Sequence, residues 1–328
     1  MSLELVCPAG TPAALRVAID AGADTVYCGY RDATNARNYP GLNFDQKDII
    51  EGIAYAHRYR RKVLVAVNTF PQAGNPTPWQ HAIDNAADAG ADAVILADIG
   101  LLDYAMNRHP GLRRHLSVQA SASNDLSISF YRDRFGISRV VLPRILSVEQ
   151  IALLIKRLGI ETEVFAFGSV GPMSEGRCFL SSYITGLSPT SEGACAPASH
   201  VVYQDDGDDV RSCLGGVTLN RFCKGEPAAY PTPCKGRYVT QGRASYLFEE
   251  PVALNAIDML ADLKAVGVTA LKIEGRQRSR AYVSEVVSRF RQALDALERG
   301  EAPGAGHNLA AVAEGGRETH GAYRKGWR

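Results

Sequence analysis

Long apolar runs are missing from this 328-residue chain, and no stretch approaches the length a membrane-crossing helix needs. The N-terminus, Met1-Ser2-Leu3-Glu4-Leu5-Val6-Cys7, has no basic region followed by an apolar core. It reads as a strand that starts at once rather than as an export signal. Net charge is almost absent: 36 Lys+Arg against 35 Asp+Glu leave +1. That balance provides no whole-molecule field for capturing nucleic acid or an anionic membrane, and leaves room only for a local basic patch. Also missing are the close C-x2–4-C pairs typical of structural zinc sites, an HExxH run and a convincing Ser/His/Asp set. Cys7-Pro8-Ala9-Gly10 stands where a dinucleotide-binding fold would carry its glycine fingerprint. The seven histidines, at 57, 81, 109, 115, 200, 307 and 320, are scattered and none is assigned a catalytic role.

What is present is a repeated alternation of short β-rich apolar runs with longer amphipathic ones. Strands are expected at Leu3–Cys7, Asp24–Cys28, Lys62–Asn68, Asp92–Asp98, His115–Gln119, Ser138–Pro143 and Glu163–Phe167, with an eighth at Thr269–Glu274. Helices are expected at Thr11–Asp20, Asp45–Tyr59, Thr77–Ala89, Ser147–Leu158, Ala253–Val266 and Arg280–Arg299. Thr11 and Ser147 suit N-caps. Ala-Gly-Ala-Asp occurs at both 21–24 and 89–92, where glycine closes a helix just before a strand. Eight strand–helix units are the number that closes a TIM-like (β/α)8 barrel; an open doubly wound sheet is the alternative. The expected organisation is seven βα units over 1–167, a cysteine-rich insert over 168–242, completion of the barrel over 243–300 and a mobile tail over 301–328, with Tyr323 and Trp327 docking its end.

Barrel chemistry sits where strands end and βα loops begin, so an insert leaving the seventh strand should cover the mouth. Five of the seven cysteines fall between Cys178 and Cys234. Without export they face a reducing, cytoplasmic compartment where disulfides are unstable. Cys178, Cys195 and Cys234 have Gly, Pro or cationic neighbours (Arg177, Lys235, Arg237) that would favour thiolates and close backbone approach. Their wide separation fits an iron–sulfur cluster gathered from distant loop segments better than zinc, against the plainer reading of small buried thiols. Cys7, Cys28 and Cys213 read as structural.

Several motifs resemble the U32 peptidase family over nearly the whole chain. They are Leu5–Gly10, Asp32–Arg37, Gly41–Phe44, Ser117–Ser121, Val140–Arg144, Phe165–Ser169, Ser174–Cys178 with Leu180–Tyr183, Cys234–Tyr238 and Lys272–Ser279. The chain closely resembles the members that serve oxygen-independent ubiquinone synthesis, so the resemblance implies a hydroxylase subunit rather than a true peptidase. It implies a [4Fe–4S] cluster, a heterodimer with a UbiV-like paralogue, a UbiT-like lipid-binding protein, a prenylated aromatic substrate and prephenate as oxygen donor in place of O2. An RNA base hydroxylation factor and a non-catalytic Fe–S scaffold are the alternatives. Cys178, Cys195 and Cys234 fall on family ligand positions, but the fourth position holds Gly171. One iron is then left open to a ligand, or Cys223 moves in, or the site holds three irons or none.

Other candidates cluster at expected strand ends: Asn68, Asp98, Gln119, Arg144 and Glu274, with Asn35 and Arg37 on the loop after the second strand. Glu274, Arg276 and Arg278 form a charged group suited to a carboxylated donor, because guanidinium binds carboxylate in bidentate fashion. A salt-bridge network bracing the rim is the alternative.

Overall fold

Strand β1 (Glu4–Pro8) opens the chain, and its alternation sets the plan of the molecule: Leu5 and Cys7 pack outward against helices, while Val6 points to the interior. The computed structural model describes residues 2–301 and 308–324. After β1 come α1 (Pro12–Asp20), β2 (Thr25–Gly29), α2 (Gln46–Arg58), β3 (Lys62–Val67), α3 (Thr77–Asp88), β4 (Ala93–Leu96) and α4 (Ile99–Arg108). The series continues with β5 (Arg113–Leu116), α5 (Asp125–Phe135), β6 (Arg139–Val141), α6 (Val148–Leu158) and β7 (Glu161–Ser169). The caps explain why the helices start where they do. Thr11 and Ser147 accept from the backbone of Ala14 and Gln150, and Ser147 completes a capping box with the Gln150 side chain. In both Ala-Gly-Ala-Asp copies the glycine takes positive φ. The aspartates Asp24 and Asp92 then accept from the amides of Leu5 and Val63, the second residues of the neighbouring strands β1 and β3.

Beyond β7 lies the insert. It contains α7 (Leu180–Thr185), α8 (Pro189–Glu192), an antiparallel sheet of β8 (Val201–Asp206), β9 (Asp209–Leu214) and β10 (Val217–Phe222), and a hairpin of β11 (Arg237–Thr240) and β12 (Arg243–Tyr246). A small core of Ala196, Leu214 and Leu219 supports it. The sequence reads this stretch as loop because its strands are short and mostly exposed, so apolar alternation is weak.

The expected helix Ala253–Val266 is corrected. Its first residues form β13 (Ala253–Asn255), antiparallel to the overhanging end of β7, and only α9 (Leu260–Ala265) is α-helical. Because β7 runs past the barrel, its free edge offers hydrogen bonds that helical propensity cannot match. Strand β14 (Ala270–Ile273) pairs with both β1 and β7 and closes eight parallel strands into a barrel, with α10 (Arg280–Glu298) behind it. Residues read as tail supply β15 (Glu318–Thr319), paired with β13, and a buried Tyr323 whose hydroxyl donates to the Phe165 carbonyl. Residues 302–307 and Trp327 lie outside the described residues.

The barrel interior has two layers of different character. Val6, Tyr27, Leu64, Ala66, Ala93, Ile95 and Ala270 form an apolar layer. Toward the strand beginnings, fully buried Glu163 accepts from Lys272 at 2.6 Å and Arg139 at 3.1 Å, and Arg139 also pairs with Glu4 and Glu161. Ion pairs plug that end. No helix among the described residues is long and apolar enough to cross a membrane.

Candidate functional site at the barrel mouth

The C-terminal ends of β2, β6 and β14 bring three long side chains together. Glu274, just past β14, accepts from Arg37 Nη2 at 2.9 Å and Arg144 Nη2 at 2.7 Å. Arg144 also donates to Glu175 of the insert at 2.6 Å and lies over the Phe165 ring, 3.5 Å from its centroid. Burial alone would raise the Glu274 pKa, but Arg144 and Arg37 outweigh it and hold the carboxyl down at about 2. Glu274 is therefore a fixed anion at neutral pH and not a proton carrier.

Beside this cluster, Arg276 donates to Asn35 Oδ1 at 2.6 Å and sits above Tyr27. Burial pushes its pKa down to about 10. Among the described residues it makes no salt bridge, so its direct contacts are an amide and a ring while Glu274 acts on it only at longer range. Asn35 is itself fixed by donating to the Tyr30 carbonyl and to Asn43. Among the described residues the Nε of Arg144 is a buried donor without an acceptor.

The insert lies across this mouth. Two glycines permit it, and both have positive φ. A Cβ on Gly193 would stand 2.1 Å from the Asn35 carbonyl oxygen, and one on Gly176 would stand 1.9 Å from that of Gln119. Gly193 thus docks the Cys195 loop on the β2 loop, and Gly176 docks the Cys178 loop beyond β5. Phe70 donates its amide to the Thr190 carbonyl, and Gln72 bonds Glu192. Lys235, next to Cys234, bonds Ser169 at the end of β7 and pairs with Glu314.

All seven cysteines are free. Burial raises the Cys234 thiol to about 11, and the charges of Cys195 and Cys178 push the same way, against Lys235. The three thiols proposed from sequence are therefore electrostatic neighbours. Cys223 stands exposed on the turn after β10, its amide donating to Glu226. Gly171 has nothing within 4 Å of where a side chain would project. Among the described residues no three His, Cys, Asp or Glu side chains gather as a ready-made holder for a single metal ion. A cubane cluster asks for a wider set, because each thiolate grips a different iron. Three thiols of the insert that influence one another electrostatically are soft donors of the kind such a group takes, and Gly171 has room around it.

Of the residues singled out from sequence, Glu274, Arg276, Arg144, Arg37 and Asn35 meet at the mouth. Gln119 meets the insert through its backbone. Asn68 ties the β2 loop to β5, accepting from Ala36 and donating to Ser117, and Asp98 caps α4. Arg278 does not join Glu274: it is exposed, and its guanidinium lies 5.5 Å from the Tyr282 ring centroid at the start of α10. The turn closed by the Arg278 amide and the Gly275 carbonyl sends it outward. Sequence reading missed Glu175 and Tyr39, whose hydroxyl is 3.7 Å from the Cys195 sulfur. Glu175 lies inside a motif already noted, and nothing local marks Tyr39.

The arrangement defines a class: a parallel (β/α)8 barrel whose charged mouth is roofed by a thiol-bearing insert. The chain belongs to peptidase family U32, whose model matches residues 10–326. It is 32% identical to an uncharacterized protease of Methanocaldococcus jannaschii, covering 90% of this chain and 66% of that one. It is 31% identical to tRNA hydroxylation protein P of Escherichia coli, covering 91% and 69%. The 23S rRNA 5-hydroxycytidine C2501 synthase of Escherichia coli is 30% identical over 91% of this chain, which spans 40% of that enzyme. The chain is thus about two thirds as long as the first two relatives.

Proposed function

We propose that this chain is the UbiU-like subunit of an oxygen-independent hydroxylase that acts on the aromatic ring of a prenylated ubiquinone precursor. The observation that supports the reading is that the insert carrying Cys178, Cys195 and Cys234 docks on the mouth that buries Arg276 without a salt bridge. Cys178, Cys195 and Cys234 would hold a [4Fe–4S] cluster, with the iron nearest Gly171 lacking a protein thiolate. When bound, such a group supplies one-electron chemistry and a Lewis-acidic iron. Arg276 and the free Nε of Arg144 would take the carboxylate of an oxygen donor such as prephenate. Glu274 holds Arg37 and Arg144 in place, and the insert shields the mouth from water. A UbiV-like paralogue would complete the enzyme, and a UbiT-like carrier would deliver the lipid-tailed substrate.

A second reading, hydroxylation of an RNA base, is favoured by the names of the tRNA and rRNA relatives. The near-zero net charge weighs against it, since phosphate contacts demand a basic surface. The test begins with anaerobic purification together with the paralogue, then iron, sulfide and visible spectra before and after air. Cys178→Ser, Cys195→Ser and Cys234→Ser should each lose iron, while Cys223→Ala should retain it. Anaerobic cells lacking the protein should accumulate a quinone precursor arrested before a ring hydroxylation. Unchanged quinones with a missing RNA hydroxylation would move the assignment to RNA.

A further inference from the structure

We propose that Tyr39 is a positioning residue of the thiol site, its hydroxyl donating a hydrogen bond to the Cys195 sulfur. This rests on reading the three thiols as metal ligands. Tyr39 Oη stands 3.7 Å from Cys195 Sγ, within hydrogen-bonding reach for sulfur. With a neutral thiol either group can donate. Once the sulfur is a metal-bound thiolate it has no proton, and the phenol becomes the donor.

The contact is held from both sides by independent constraints. On the Tyr39 side, its amide donates to the Arg37 carbonyl, its carbonyl accepts from the Leu42 amide, and Arg37 is pinned by Glu274. On the cysteine side, the close approach of Gly193 to Asn35 fixes the loop that carries Cys195. One loop therefore bears both a guanidinium of the charged mouth and a phenol on the thiol site. A hydrogen bond to a ligating sulfur draws electron density from it and favours the reduced, more negative form of a cluster. Tyr39 would thus raise the reduction potential of the metal centre.

The test compares wild type with Tyr39→Phe, which removes only the hydroxyl. Tyr30→Phe is the matched control, because it removes a hydroxyl bonded to Gln46. Each is reconstituted anaerobically with iron and sulfide. Expected are equal iron and sulfide contents in all three. Tyr39→Phe should show a more negative midpoint potential and a shifted sulfur-to-iron charge-transfer absorption, and Tyr30→Phe should match wild type. If all three bind iron and share one potential and one spectrum, the role of Tyr39 is refuted while the metal site stands. If none binds iron, the metal site itself falls, and this inference with it.

Discussion

Replacing Glu274 by glutamine tests how the mouth is held together. In the fold its carboxyl titrates at about 2, against an ordinary value of 4.5. At about 1.4 kcal/mol per unit, that drop corresponds to roughly 3 kcal/mol of preference for the ionised, folded state. The side chain is only 18% exposed, so solvent screens little of it. The sign follows from the direction of the shift. A depressed carboxylate stabilises the fold above its unfolded pKa, and the contribution fades as pH falls from about 5 to about 2. Glu274→Gln should therefore melt about 4–8 °C below wild type at pH 7. The gap should shrink steadily as both proteins are scanned toward pH 3. Glu163 and Glu4 are also depressed by cationic partners, so wild type and variant share their acid sensitivity, and only the difference reports on Glu274. Equal melting at pH 7, or a gap that stays constant down to pH 3, would refute the ion-pair account.

Glu163→Gln strands Lys272 in the barrel interior, while Arg139 keeps Glu4 and Glu161, and should cost about 3–5 kcal/mol in urea unfolding, because a broken buried pair leaves uncompensated charge; a loss under 1 kcal/mol would show the pair to be idle. Gly171→Cys meets open space and should fold normally while slowing iron loss in air. Unchanged loss would mean position 171 does not face the metal. Arg276→Met removes a buried cation lacking an anionic partner, so stability should hold within about 2 kcal/mol of wild type or rise. The same change should abolish any melting-temperature increase that millimolar prephenate gives wild type, and a retained increase would place the carboxylate elsewhere.

The barrel was legible because each βα unit is short and carries its own punctuation, such as Thr11, Ser147 and the two Ala-Gly-Ala-Asp turns. The expected fifth strand, His115–Gln119, slid two residues late against the observed Arg113–Leu116, because two arginines disguise its start. Arg113 joins a charged layer that no hydrophobic pattern announces, through Glu161, while Arg114 donates to the backbone carbonyls of Phe135 and Leu112. Alternation places Arg139, Glu163 and Lys272 on one face, but only the closed register shows that they neutralise one another. β13 was hidden for a related reason: its conformation is set by the free edge of β7, not by its own residues. At the site, Cys178, Cys195 and Cys234 could be chosen by type and neighbours. Which of Arg276 and Arg278 turns inward depends on a single turn, and the Tyr39 contact spans 156 residues of sequence.

The two ends of the barrel treat buried charge in opposite ways, and that difference locates the chemistry. Around the strand beginnings each carboxylate is matched: Glu163 takes Lys272 and Arg139, while Glu4 and Glu161 take what remains of Arg139. Such a network asks for nothing further and acts as a plug. Around the strand ends Glu274 satisfies Arg37 and part of Arg144, Glu175 takes another part, and Arg276 is left with an amide. Burying an unmatched guanidinium is unfavourable, and a sequence selected for stability alone would replace it with an apolar side chain. An arriving anion would offset its cost. The incomplete end is also the end on which the insert docks, so under the proposed function the anion and the thiols would meet at the barrel mouth.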